Sequence, residues 1–439
     1  MEGKISEPQK QDIAIVLVPL LAQGHLNAFL HLSHHLSSHG LPVHYVSSTS
    51  HIHQVISRST STTSLSHIHF HHFPLPPYPS PPPTPTSPST STHFPSHLQP
   101  SFNASLHLKL PLTSLLHSLS SSSRRLILIH DSAMSFAATA AVSIPNVETY
   151  VFHTVSAISI LLFSSKSTSL SLQDLHLNNL SFSFDGCFTE EFYHFIHKQH
   201  QLLSSTSSGR LFNTCRAIEA KDPQKHQCYP LECLQWLNKQ PKASVIYVSF
   251  GTTSCFSKEQ MLELGSGLEK SGERYLWVVR DADRGDIYAN NEEDHDQCLV
   301  CEQRGMGMVV KGWVPQLEIL EHSSMAAFMS HCGWNSCMES LSLGVAMLTW
   351  PMHSDQPCNA MLVTDLLKVG IMVRDWNKRH EIVRAVTVRD KVVELMHGDG
   401  GKEVRMRART LGEAIRREAI DGHASRNGGL DSFIAHVTR

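Results

Sequence analysis

The stretch Trp313–Gln356, WVPQLEILEHSSMAAFMSHCGWNSCMESLSLGVAMLTWPMHSDQ, decides how the rest of the chain is read. Its apolar run Met325–Met329 meets a polar turn, Ser330-His331-Cys332-Gly333-Trp334-Asn335-Ser336, and helix-like spacing follows at Met338, Leu341 and Leu343. A strand running into a glycine turn and then a helix makes a cradle for a diphosphate, because the first N–H groups of a helix have no partner within it. Gly333 lets the backbone approach the anion, and the N–H groups of Asn335 and Ser336 point at it. Glu339 lies one turn into the helix, where a carboxylate accepts ribose hydroxyls. A second strand, Val345–Thr349, ends in Trp350-Pro351-Met352-His353-Ser354-Asp355-Gln356. Asp355 and Gln356 thus stand beyond the carboxyl end of a strand, where open α/β sheets bind ligands.

Upstream, the same rhythm recurs. Ser244–Phe250 reads as a strand ending at Gly251-Thr252-Thr253, followed by a helix over Lys258–Lys270 and strands at Tyr275–Val279 and Met308–Lys311. At the other end of the chain, Ile13–Val18 is a short continuous apolar run, the mark of a parallel strand buried on both faces. It stops at Pro19; Gln23-Gly24-His25-Leu26-Asn27 opens a helix through His39, and Val43–Val46 is the next strand. Leu126–His130 is another buried strand, followed by Asp131-Ser132 and a helical run from Ala133. The expected fold is α/β, two doubly wound, Rossmann-like domains facing a cleft. Residues 1–220 are assigned to the first domain and 221–421 to the second, joined by the linker Ala220–Pro230. Residues 422–439 are assigned to a final helix returning to the first domain on Phe433, Ile434 and Val437.

His25 and Asp131 both follow the carboxyl ends of first-domain strands. Taken alone, His25 is a polar residue at a helix start and Asp131 an ordinary N-cap. Together they have a chemical use: a histidine near neutral pKa takes a proton from an attacking alcohol, and a buried carboxylate holds its other ring nitrogen.

Length, 439 residues, suits two domains. A 41% hydrophobic and 17% charged composition with net charge −3 describes a soluble globular protein and gives no reason to expect nucleic acid or an anionic membrane as partner. The polar N-terminus MEGKISEPQKQD carries no visible secretory signal, and the apolar region Ala133–Phe163 is broken by Pro145, Asn146, Glu148 and His153. Ten scattered cysteines suit reduced thiols, so a cytoplasmic location and a monomer are expected. Of 31 histidines, His67, His69 and His71 alternate along one strand face, and Cys298-x-x-Cys301 is a solitary pair. Neither offers four converging ligands, so no metal site is assigned. Pro74–Thr92, PLPPYPSPPPTPTSPSTST, reads as a mobile polyproline-II loop.

Trp313-x-Pro315-Gln316, His331-Cys332-Gly333-Trp334-Asn335-Ser336 with Glu339, and Asp355-Gln356 resemble the signature box of the plant UDP-sugar-dependent glycosyltransferases (family 1, inverting). The resemblance implies a GT-B type fold and an enzyme whose co-substrate is a UDP-sugar, with no cofactor and no metal. It implies that His25 is the base and Asp131 its orienting acid, and that Gly251-Thr252 approaches the donor diphosphate. Trp313 offers a face to uracil, Val314 its backbone to the base, and Gln316 reaches the ribose with Glu339. His331, Asn335 and Ser336, with Gly333, resemble the diphosphate ligands. Trp334, Asp355 and Gln356 resemble the sugar-hydroxyl contacts.

Gly24–Asn27, His130–Ser132, Phe250–Thr253, Trp350–Pro357, Asp375-Trp376 and Ser432–His436 extend the likeness along the chain. They are most similar to members that glycosylate the side-chain hydroxyl of zeatin-type cytokinins. UDP-glucose is favoured over UDP-xylose by Gln356. A flavonoid or other small phenolic or alcohol is the alternative acceptor. Relatives carry a longer linker, with another strand, before the helix at Leu231–Leu237, and a few more residues around Gln297–Arg304. A catalytically impaired nucleotide-sugar-binding protein is therefore a second alternative. A dehydrogenase is excluded by the lack of Gly-x-Gly-x-x-Gly after the first strand.

Overall fold

Strand β1 (Gln11–Val18) shows why this chain layers as it does. Ala14 to Val18 are all excluded from solvent. Successive side chains of a strand point to opposite faces, so Ala14, Val16 and Val18 join one apolar cluster and Ile13, Ile15 and Leu17 another. A strand buried on both sides must have helices above and below, and parallel neighbours. The computed structural model describes residues 11–59, 63–85, 94–165, 184–213, 232–280, 282–286, 300–304, 306–424 and 429–439.

With β2 (Val43–Ser48), β3 (Ile68–Phe73), β4 (Ser123–Asp131), β5 (Val147–His153) and β6 (Gly209–Phe212), β1 forms a parallel sheet of order β3-β2-β1-β4-β5-β6. The order reverses between β1 and β4. The second sheet uses β7 (Val245–Ser249), β8 (Arg274–Val279), β9 (Val300–Arg304), β10 (Gly307–Lys311), β11 (Met325–Ser330), β12 (Ala346–Thr349) and β13 (Gly370–Met372). Its order is β13-β12-β11-β7-β8-β10-β9, with β9 alone antiparallel on the edge. Without β9, this repeats the winding of the first sheet, with the reversal between β7 and β11. The fold is thus two Rossmann-like sheets of the GT-B type. Ligands in such sheets bind outside the carboxyl ends of the strands at the reversal. The two reversals bring the β1 and β4 ends of one half towards the β7 and β11 ends of the other.

The helix Gly429–Val437 packs against the N-terminal sheet, with Phe433 and Val437 buried in the apolar cluster that one face of that sheet contributes to. Arg125 Nη1 donates to the Val437 carbonyl at 2.7 Å, and the Phe433 ring meets Tyr150 edge-on at 5.0 Å. Three sequence readings are changed or left open. Of the proline-rich segment, residues 74–85 are described, and they are not a loose loop: Tyr78 Oη donates to the Gly285 carbonyl at 2.9 Å, and Asp286 N donates to Ser80 Oγ at 3.0 Å. Proline fixes an extended path, and that path is held by polar contacts with the other half. His69 and His71 pack against His44, whose Nδ1 lies 2.9 Å from His71 Nε2. His69 and His71 are thus in ring contact across paired strands, while His67 ends the turn Thr63–His67 before β3 and is not on the strand. The linker Ala220–Pro230 lies outside the described residues, as do Thr92, Cys298 and the remainder of the proline-rich segment.

Candidate active site

The polypeptide places His25 in the first turn of the helix Gln23–Ser38, which leaves β1 at the sheet reversal. Asp131 is the last residue of β4, next to β1 in register. Their side chains meet: His25 Nδ1 is 2.7 Å from Asp131 Oδ2. A carboxylate only accepts, so Nδ1 carries the hydrogen and Nε2 holds the lone pair. Asp131 is fully buried while the His25 side chain is 25% exposed, so the imidazole alone is open to a substrate. Asp131 Oδ1 accepts the Ala133 N–H at 2.9 Å, so the residue is also an N-cap. Burial opposes a charge on His25, but the Asp131 carboxylate, its hydrogen bond and the more distant Asp355 outweigh it and raise the pKa above 6.5. Burial likewise pushes the Asp131 carboxyl up, and His25 with the Ala133 N–H holds it below its usual value.

Thr154, just past β5, has no motif to announce it. Its hydroxyl lies 2.8 Å from His25 Nδ1 and donates to Asp131 Oδ2 at 3.5 Å, completing the bracket around the ring.

Across the cleft, the helix Trp334–Leu343 starts at Gly333, which is its N-cap. Before it, Cys332 holds φ +64, a left-handed conformation that side chains seldom take, and its N–H bonds back to Ser330 Oγ. The kink throws His331 into the cleft between two glycines. A Cβ on Gly251 (φ +76) would stand 2.6 Å from His331 Nε2, and one on Gly333 would overlap the same ring. Burial takes the His331 pKa down to about 4, so the ring is neutral at physiological pH.

Gln316 opens the helix Gln316–Glu321. Its Nε2 donates to Glu339 Oε2 at 2.7 Å and to Ser336 Oγ at 3.0 Å, and its Oε1 accepts from Tyr247 Oη at 3.3 Å. Trp313 precedes it, half-exposed, with the guanidinium carbons of Arg58 and Arg280 at 5.1 and 5.2 Å from its ring centroid. Val314 is buried beside it. Thr252 and Thr253 follow β7, and Thr253 Oγ1 lies 3.1 Å from His353 Nε2.

Two residues read as sugar contacts have their side chains engaged elsewhere. The Trp334 indole is buried and donates to the Asn213 carbonyl at 3.1 Å. Gln356 Oε1 accepts the N–H groups of Met352 and His353 at 2.9 and 3.1 Å, holding the turn after β12. A buried amide satisfies unpaired backbone donors first. Asp355 is held by Asn359, which sequence reasoning did not single out. Asn359 Nδ2 donates to Asp355 Oδ2 at 2.8 Å and to the Cys332 carbonyl at 2.9 Å, while Ser156 Oγ of the N-terminal half donates to its Oδ1 at 2.7 Å. Burial raises the Asp355 carboxyl pKa, against the pull of Asn359 and His25. Trp350 is wholly buried against Phe250 and Phe256.

One cavity of about 730 Å³ contains His25, Thr154, the Gly251–Thr253 turn, Trp313, His331, Glu339 and Asp355. One part of its remaining wall is an aromatic cluster, with Phe94, Phe163, Phe188 and Phe192 in successive ring contacts of 4.4 to 5.6 Å. Among the described residues, the cluster that could hold a metal is His35, His39 and Asp431, on the outer side of the N-terminal half. Among the described residues, no helix is long and apolar enough to cross a membrane.

Comparison with known proteins agrees with this geometry. Residues 11–222 match the "Glycosyltransferase, N-terminal domain" family and residues 215–379 the "UDP-glucoronosyl and UDP-glucosyl transferase" family. The chain is 42% identical to zeatin O-glucosyltransferase of Phaseolus lunatus over 99% of both chains. It is 43% identical to zeatin O-xylosyltransferase of Phaseolus vulgaris, over 97% of this chain and 98% of that one. Cis-zeatin O-glucosyltransferase 2 of Zea mays is 41% identical over 98% and 99%. Among solved structures, a ugt transferase from Siraitia grosvenorii in complex with UDP superposes with TM-score 0.70 and 26% identity, over 98% of this chain and all of that one. Os79 from O. sativa, in complex with U2F and trichothecene, superposes at 0.72 and shows the same fold at 23% identity, over 97% and 99%. Near-complete coverage at this identity, on a cleft built between two such sheets, makes the chain a member of the UDP-sugar-dependent glycosyltransferases, an enzyme that moves a sugar from UDP to an acceptor hydroxyl.

Proposed function

We propose that the acceptor is a zeatin-type cytokinin, glycosylated on its side-chain hydroxyl with inversion, and that glucose is the sugar. The observation that carries the reading is His25, held from behind by Asp131, which lines one cavity with both the aromatic cluster and the signature box. Clustered phenylalanines suit a flat purine bearing an isoprenoid chain, because such rings contribute large apolar contact at little cost in side-chain freedom. The acceptor hydroxyl gives its proton to His25 Nε2 as its oxygen attacks the anomeric carbon. Asp131 stabilises the imidazolium through Nδ1–H. The C1–O bond to UDP breaks on the opposite face, through an oxocarbenium-like transition state, so an α-linked donor gives a β-glycoside.

The departing diphosphate is received by Thr252, His331, Gly333, Asn335 and Ser336. Trp313 and Val314 hold the base, Gln316 and Glu339 the ribose, and Trp334, Asp355 and Gln356 the sugar. For Trp334 the contact is assigned to its backbone at the helix start, since the indole is turned away. The scheme uses no metal or cofactor. Residues 1–220 form the acceptor domain, 221–421 the donor domain, and 422–439 the returning helix, in a cytoplasmic monomer.

The test is turnover of purified protein with UDP-glucose and UDP-xylose against trans-zeatin, cis-zeatin and quercetin, with products read by mass spectrometry. A hexose on a zeatin supports donor and acceptor together. A pentose product moves the donor to UDP-xylose, and a quercetin product alone overturns the cytokinin reading. No product from a protein that binds UDP points to the impaired alternative.

A further inference from the structure

Arg58, the C-cap of the helix Thr49–Ser57 in the N-terminal half, is almost wholly buried, with its side chain 2% exposed. It forks onto Asp283 of the C-terminal half, Nη1 to Oδ2 at 2.7 Å and Nη2 to Oδ1 at 2.9 Å. A two-pronged pair of this kind fixes orientation as well as distance. The same Nη1 donates to Gln23 Oε1 at 2.6 Å. Gln23 is the first residue of the helix that carries His25, and its Nε2 donates to Asn27 Oδ1 at 2.7 Å in the next turn.

On the other side, Asp283 N donates to the Thr252 carbonyl at 2.7 Å, in the turn beside the diphosphate cradle, and Arg280 shares the carboxylate at 2.5 Å. The Arg58 guanidinium also lies against the Trp313 ring. A second tie runs in parallel: Asn335 Nδ2, from the start of the diphosphate helix, donates to the Gly24 carbonyl at 2.8 Å. Of the two residues immediately before His25, Gly24 is therefore bonded directly to the donor half and Gln23 is linked to it through Arg58.

We propose that Arg58 is a positioning residue for sugar transfer, joining Asp283 and Trp313 of the donor half to Gln23 at the root of the His25 helix. It touches no reacting atom. Its effect is on where His25 Nε2 stands relative to the anomeric carbon, a distance set across two separately folded sheets. Displacement of about 1 Å at such a base costs on the order of 10²-fold in rate. The inference rests on His25 being the base.

The test compares Arg58→Met, Arg58→Lys and Gln23→Leu in the full chain with UDP-glucose and whichever of trans-zeatin, cis-zeatin or quercetin is turned over. Arg58→Met leaves Asp283 paired with Arg280, so no buried carboxylate is orphaned. We expect kcat at saturating substrates to fall roughly 10- to 100-fold, while UDP stoichiometry is kept and UDP Kd by calorimetry moves less than about threefold. Arg58→Lys, which keeps the charge but lacks the fork, recovers part of that kcat. Gln23→Leu reproduces the loss with the ion pair intact, and decides the matter should Arg58→Met fail to fold. An unchanged kcat overturns the proposal. So does a loss confined to donor KM, or one that tracks lost UDP stoichiometry. His25→Ala separates the two readings: if it is inactive while Arg58→Met and Gln23→Leu turn over normally, the positioning role fails and the base stands; if it is active, the base assignment fails first.

Discussion

His25 Nδ1 stands 2.7 Å from Asp131 Oδ2, although the two residues are 106 positions apart in sequence. Parallel pairing of β1 with β4 makes this possible, because it sets Val18 level with His130 and brings both loops out on one side. His25→Ala should abolish transfer, with a loss of at least about 10²-fold expected for a general base, while UDP binding measured by calorimetry stays near normal. Retention of most of the activity would show that another group takes the proton.

The same pair sets the pH response. His25 acts as a base only when neutral, and Asp131 with Asp355 raises its pKa above 6.5 against the effect of burial. Activity should therefore fall on the acid side as pH drops through that raised value. Asp131→Asn removes the charge that favours imidazolium while burial remains. The acid limb should then move to lower pH, with kcat reduced by roughly 10² to 10⁴ because the ring loses its oriented partner. An acid limb that does not move in Asp131→Asn would assign it to a different group.

Thr154→Val keeps shape and removes the hydroxyl 2.8 Å from His25 Nδ1. We expect kcat to drop about three- to tenfold, the scale of a single modest hydrogen bond, with donor KM unchanged. A change in KM alone would place Thr154 in substrate binding.

Glu339 accepts from Gln316 at 2.7 Å. Glu339→Ala should weaken UDP binding by roughly tenfold or more, as befits loss of charge-assisted ribose bonds and release of the Gln316 amide. Uridine, titrated beside UDP, should show the same ratio, since the diphosphate is not involved. A loss seen with UDP and absent with uridine would move Glu339 away from the ribose.

Asn359 is fully buried and joins Asp355, the Cys332 carbonyl and Ser156. Asn359→Ala removes these three bonds within a buried site and should cost about 3 kcal/mol of stability, read as a fall in the denaturant midpoint. Little change in the midpoint would mean that water replaces the amide.

Strand runs such as Ile13–Val18 and the box from Trp313 to Gln356 were legible because local pattern decides them. Burial on both faces demands continuous apolar residues, and a tight turn before a helix demands Gly333. What the sequence could not show depends on partners far along the chain. Thr154 looks like any threonine after a strand until β5 is set beside β4. Arg58 reads as a helix-end cation until Asp283, 225 positions away, meets it. Trp334 and Gln356 show the converse limit: their places in the box were readable, but side-chain direction depends on neighbouring backbone groups at Asn213, Met352 and His353.

The helix Gly429–Val437, seated on the N-terminal sheet, makes the far end of the sequence part of the first core. The helix before it, Asp399–Ala424, packs on the other sheet against β13 and the helix Trp334–Leu343. A sheet begun by β1 therefore waits for its cover on residues made after the whole second half. Removing residues 429–439 would strip Phe433 and Val437 from that core, uncover the Tyr150 ring and take the Val437 carbonyl from Arg125, so the half that carries His25 would lose stability.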